Sequence, residues 1–154
     1  MRELIQNLLR LPVPLPDLLV ANRANCFNAI QLYWNDTADL HFVGPEEFLT
    51  YIKFHFTQIK VSLPQQAGDV AVIWSRSSDL LPVGSIRIEE LQKERQGYPF
   101  GLIIEHSFVI IGNELVFQKR DPSLIGPYES VPGQIALKPY FNLNGFEVTR
   151  HRRL

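Results

Sequence analysis

Residues 105–119 read EHSFVIIGNELVFQK. Two runs of Val, Ile, Leu and Phe meet at Gly112-Asn113, the pattern of a β-hairpin. Two polar residues, His106 and Gln118, interrupt these otherwise apolar strands. Burying a polar side chain without a partner costs roughly 1–3 kcal/mol, so each of them faces water or holds a partner. A plain two-residue turn at Gly112-Asn113 pairs Ile111 with Glu114 and sets His106 opposite Lys119, with Gln118 on the other face. A three-residue loop or a bulge shifts the register by one. His106 and Gln118 then share a face, directly opposite or one diagonal step apart. A joint role for the pair therefore forbids the plain turn.

Outward from the hairpin, the pattern changes from strands to helices. Leu4, Ile5, Leu8 and Leu9 fall on one face of a helix over 2–10, which Pro12, Pro14 and Pro16 end. Residues 1–20 read as an N-terminal extension, and Asp17 or Asn22 opens the next helical region. Asn25 is placed to cap a helix from Cys26 to Trp34, ended by Asn35-Asp36. Leu40 to Val43 reads as a short strand. Pro45, Glu46 and Glu47 suit a helix N-terminus, and Phe48, Leu49, Ile52 and Phe56 keep helical spacing through about residue 57. VAVIW (70–74) reads as a buried strand, with Asp69 at its start. Residues 75–105, where strand and helix signals mix around Ile86 to Arg95, read as an insertion. After Asp121-Pro122 a polar loop is expected, then a short helix near 132–139 and a last strand from Phe146 to Arg150. Trp34, Trp74 and Tyr33 read as core. With helices in the first 60 residues and strands after 70, the expected fold is α+β, N-terminal helices packed on an antiparallel sheet.

Composition narrows the chemistry. The 154 residues, 45% hydrophobic and 20% charged, are enough for one domain (1–154) with a sizeable core. A formal charge of −1 lacks the basic stripe of a nucleic-acid binder. The one basic cluster, Arg150-His151-Arg152-Arg153, reads as a solvated end. A single cysteine, Cys26, excludes an intramolecular disulfide and a multi-cysteine zinc site. His41, His55, His106 and His151 show no metal-ligand spacing, and no glycine-rich phosphate loop is present. Neither metal nor cofactor is expected. The N-terminal apolar residues are broken by Glu3, Gln6, Asn7, Arg10 and Asp17, so no leader is readable. The compartment is left open between the cytoplasm, the default, and export by a route not readable in the sequence. No stretch approaches the ~20 apolar residues of a membrane span.

What remains is thiol chemistry. Such chemistry needs a thiolate, a base to make it and a group that orients the base. A cysteine in the first turn of a helix sits where the dipole and unused N–H groups favour negative charge, and Cys26 follows the cap Asn25. An imidazole takes the thiol proton and returns it to the leaving amine. A side-chain amide oxygen can accept the other ring N–H and fix the tautomer, a part open to Gln118.

NCFNAIQLYW (25–34), GDVAVIW (68–74) and HSFVIIGNELVFQK (106–119) together resemble the NlpC-type cell-wall peptidase superfamily, which are papain-like cysteine hydrolases. The resemblance implies a papain-like fold with Cys26 as nucleophile, His106 as base, Gln118 as orienting residue and the Cys26 N–H as an oxyanion donor. It implies hydrolysis of amide bonds, typically in peptidoglycan stem peptides, without a cofactor. The chain departs from the family pattern in having Asn25-Cys26-Phe27-Asn28 where Asp-Cys-Ser-Gly is usual, and Glu105-His106 where Gly-His is usual. Tyr98 and Phe100, beside turn prolines and glycines, are candidates to line a substrate groove. The same triad serves an acyltransferase, and a non-enzymatic binding module of the same fold is the rival expectation.

Overall fold

The computed structural model describes residues 3–10, 24–76, 102–120, 128–143 and 145–154. They form an α+β fold built on one six-stranded antiparallel sheet, ordered β1-β6-β2-β3-β4-β5. The strands are β1 (Phe56–Ile59), β2 (Val70–Arg76), β3 (Leu102–Gly112), β4 (Leu115–Lys119), β5 (Tyr128–Pro132) and β6 (Glu147–Arg153). The helices are α1 (Glu3–Arg10), α2 (Cys26–Trp34), α3 (Pro45–His55) and the short α4 (Gly133–Leu137), which runs into a 3-10 turn at Lys138–Tyr140. Among the described residues no helix is long and apolar enough to cross a membrane.

Alternation along the strands gives the sheet two apolar faces. Val70, Val72, Trp74 and Val109 point to one side, where Phe27 and Ile30 of α2 and Phe48, Leu49 and Ile52 of α3 cover them. Ile5 and Leu8 of α1 join Ala29, Leu32 and Phe117 beside them. On the other side Ala71, Ile73, Phe108, Ile110 and Val116 meet Ala136 of α4.

The helix starts follow the expected chemistry. Asn25 accepts a hydrogen bond from the Asn28 N–H at 3.2 Å, and Asn35 ends α2 in the left-handed conformation at φ 61°. Pro45 occupies the first turn of α3 with Glu46 and Glu47 beside it. Three expectations fail. Residues 40–43 form no strand, because Asn25 has already claimed the backbone of Val43 through both its N–H (3.3 Å) and its carbonyl (2.7 Å). The helix expected through residue 57 ends at His55, and Phe56 turns into β1. The polar loop after Asp121-Pro122 contains β5, which pairs with β4 along its whole length; residues 121–127 lie outside the described residues.

The basic cluster is also not a solvated end. Arg150, His151, Arg152 and Arg153 belong to β6, an inner strand between β1 and β2. Arg150 and His151 are buried and Arg152 and Arg153 half-buried, and each arginine has an acceptor. Arg152 grips both oxygens of Asp69 at 2.9 Å, Arg153 binds Asp36 at 2.5 and 3.0 Å, and Arg150 donates to the carbonyls of Lys60 and Leu63. Asp69 stands just before β2, as expected of a strand-start residue. Burial alone would raise its pKa. Arg152, the Gln66 N–H and Arg150 outweigh that and hold it below the usual carboxylate value. Gly68 makes this corner possible: at φ 96° it tolerates the left-handed backbone, and a Cβ there would lie 2.5 Å from the Trp34 ring.

Candidate active site

The hairpin is not plain. Gly112 pairs with Leu115 and Ile110 with Val116, so Ile111 is a bulge residue and the loop is Asn113-Glu114, both with positive φ (49° and 63°). Gly112 takes φ 106° at the bulge. The extra residue shifts the register, and His106 and Gln118 come to the same face one diagonal step apart. His106 Nε2 and Gln118 Oε1 lie 2.7 Å from each other, both side chains buried.

A second bulge determines which way the ring points. Ile73 pairs with His106 but Trp74 with Ile104, leaving Glu105 extra on β3. Ile104 joins the α2 face, whereas the His106 ring turns to the other side and stacks on Tyr140 at 5.2 Å between centroids and 14° between planes. There it lines a cavity of about 480 Å³ with Gln118, Glu129, Lys138 and Asn142. Ser75 donates to the carboxylate of Glu105.

Cys26 is the first residue of α2 and 7% exposed. Burial pushes its thiol up to about 12, opposed by the backbone N–H groups of Ser107, Cys26 and Phe27 and weakly by Lys119. Because the side chain of Asn25 caps the Asn28 N–H, the Cys26 and Phe27 N–H groups are left to face the sulfur. Ser107 immediately follows His106. The β3–β4 pairing stops at Val109↔Phe117, so Ser107 lies past the end of that ladder. The thiol therefore meets β3 at Ser107 on the α2 side of the sheet, whereas the ring projects from the preceding residue to the opposite, α4 side.

The structure thus joins His106 to Gln118 directly and brings Cys26 to the residue next to His106. Tyr98 and Phe100 lie outside the described residues, as do residues 77–101 of the expected insertion; Ser75-Arg76 and Leu102 to Glu105 are parts of β2 and β3. Sequence reasoning missed two participants. Asn28 is fully buried, and its amide ties α2 to the 39–41 segment through the Asp39 carbonyl (3.0 Å) and His41 Nδ1 (3.3 Å). Glu129 accepts from Gln118 Nε2 at 2.7 Å and is ion-paired with Arg120 at 2.6 Å. Asn28 had a readable signal, a polar residue on the inner side of an apolar helix. Glu129 had none, since only the Gln118↔Glu129 register brings the two together.

Among the described residues no group of three or more His, Cys, Asp and Glu side chains could hold a metal ion. The fold is α+β, with a helix-start cysteine on one side of the sheet and a buried imidazole–amide pair on the other. No protein-family model, curated protein or solved structure matches the chain.

Proposed function

We propose that the protein is a papain-like cysteine amidohydrolase with Cys26 as nucleophile, His106 as base and Gln118 as the group that orients the base. The observation that carries this is the 2.7 Å bond between His106 Nε2 and Gln118 Oε1, with a helix-start thiol reaching the next residue of β3, Ser107, from the other side of the sheet. With Nε2 given to the amide oxygen, Nδ1 is assigned the proton-accepting role.

The thiol rests protonated, since burial holds its pKa near 12. Proton transfer then accompanies attack. Thiol and ring lie on opposite sides of the sheet, so the ring must first leave Tyr140 and reach the Cys26 side. The Cys26 proton then passes to His106 Nδ1 as sulfur bonds to the amide carbon, and the N–H groups of Cys26 and Phe27 stabilise the oxyanion. Collapse breaks the C–N bond, and the imidazolium returns its proton to the departing amine. Water adds to the thioester with His106 again as base, the C–S bond breaks, and thiol and acid are released. An amine or alcohol in place of water makes the same machinery an acyltransferase. Peptide amides, including those of cell-wall stem peptides, are the substrate class.

A non-enzymatic binding module is the second reading, favoured by the depth of the thiol and by the stacking of His106 on Tyr140 in the opposite layer. Iodoacetamide separates them, because Cys26 is the only cysteine and mass measurement of the intact protein reports it alone. The hydrolase alkylates in the folded state near neutral pH, and His106→Ala lowers the rate by about 10²-fold or more. A thiol that reacts only on unfolding, at a rate indifferent to His106→Ala, sinks the hydrolase and supports the module instead.

A further inference from the structure

We propose that Glu129, through Gln118, sets the tautomer of His106 and is thereby a positioning residue of the site; its relevance to catalysis rests on the hydrolase proposal. A terminal amide can present either its oxygen or its NH2 group to a neighbour, and the two ends have nearly the same shape. Facing His106 alone, Gln118 could adopt either orientation. Its oxygen toward the ring demands a proton on Nε2, whereas its NH2 group toward the ring demands a proton on Nδ1. Only the first tautomer leaves Nδ1 able to take a proton.

Glu129 breaks this ambiguity. A carboxylate only accepts hydrogen bonds, and Glu129 Oε1 lies 2.7 Å from the Gln118 nitrogen. Arg120, which only donates, holds the same carboxylate through its Nε at 3.3 Å and its terminal nitrogen at 2.6 Å. The chain of bonds therefore has one direction. Arg120 and Gln118 donate to Glu129, the Gln118 oxygen is turned to the ring, and His106 donates from Nε2. Without the carboxylate nothing holds the Gln118 nitrogen away from the ring, and the cations lining the same cavity, Arg120 and Lys138, favour the amide turned with its oxygen toward them and its NH2 group onto the ring.

The test is the ring-nitrogen NMR of His106 in the full chain at a pH where the imidazole is neutral, assigned by the signal lost in His106→Ala. In the unsubstituted protein the expected spectrum is that of the Nε2–H form. In Glu129→Leu the Nδ1–H form becomes the major one, and Cys26 alkylation slows about tenfold as the competent tautomer becomes the minority. Glu129→Gln, which keeps size and one acceptor, gives a mixture and covers the case in which Glu129→Leu does not fold. The exchange Gln118→Glu with Glu129→Gln returns the ring to Nε2–H, because the residue touching it can then only accept. Retention of Nε2–H in both single variants overturns the inference. So does a ring that carries its proton on Nδ1 from the outset. Alkylation, read on the same samples, keeps the two proposals apart: a tautomer that moves while Cys26 stays inert upholds the role of Glu129 and sinks only the hydrolase. A His106-dependent thiol with an unmoved tautomer does the reverse.

Discussion

The sheet carries two buried histidines that end differently built hydrogen-bond chains. At the β3–β4 end His106 meets an amide held by a carboxylate, so the chain ends in an acceptor and the ring donates from Nε2. At the β2–β6 side the indole of Trp74 donates to the Thr149 hydroxyl at 2.7 Å, and that hydroxyl lies 2.9 Å from His151 Nε2. An indole can only donate, so Thr149 accepts there, and a hydroxyl can still give its proton to Nε2 or accept from it, so this chain imposes no tautomer on the ring. His151 is sealed under the helices, and burial pushes it down to about 4. His106 instead borders a cavity of about 480 Å³. The residue type alone decides nothing: one ring meets an amide locked by a carboxylate and opens on a cavity, the other meets a hydroxyl that can donate or accept and is sealed from solvent.

The contrast is broken most severely at Asp69. Asp69→Ala removes the carboxylate of Arg152 and the one nearest Arg150, so both arginines keep only backbone carbonyls; breaking such a buried pair costs about 3–5 kcal/mol. Urea unfolding should show that loss, while folded-state alkylation of Cys26 stays at its former rate. A change in both would mean the two ends of the sheet are not independent.

The next effect belongs to His151. Its folded pKa of about 4 lies below the ordinary 6.5, so the unfolded chain binds the proton more tightly. Its contribution is complete above about pH 6.5 and is lost as the pH falls through about 4, a change of about 3 kcal/mol. The stability of His151→Gln should fall less steeply over that window than that of the unsubstituted protein. Parallel slopes would place the acid sensitivity elsewhere.

Only part of this contrast is legible in the sequence. The hairpin, the Asn25 cap and the Pro45 helix start are written in local chemistry, and the face shared by His106 and Gln118 follows once a bulge is demanded. β6 is not, because EVTRHRR looks solvated until Asp69, Asp36 and the carbonyls of Lys60 and Leu63 arrive from 80 and more positions away in the chain. β1 is only four residues long with one buried side chain, too short to show a period. Residues 40–43 have strand-like composition, but the Asn25 side chain takes the backbone bonds a ladder would need. The thiol's place at Ser107 depends on two strands parting, which spacing in the sequence does not encode.

Gln118→Leu reverses the pattern expected of Asp69→Ala. It removes one acceptor from His106 and one donor from Glu129, for about 1–3 kcal/mol of stability. Its main effect should be on chemistry, with alkylation of Cys26 falling as the ring loses its fixed tautomer. A fall in stability without a fall in thiol reactivity would assign Gln118 to the core rather than to the site.

The smallest effect is expected at Arg120, and it sharpens the assignment of direction. Its side chain is 59% exposed, and an exposed ion pair contributes about 0–1 kcal/mol. In Arg120→Ala the Glu129 carboxylate still accepts from the Gln118 nitrogen, so the amide keeps its orientation and His106 keeps its proton on Nε2. Unfolding midpoint, ring-nitrogen spectrum and alkylation rate should all lie close to those of the unsubstituted protein. A shifted tautomer in this variant would mean that the cation, not the carboxylate, orients the amide, and the polarity of the chain would then begin one residue further out.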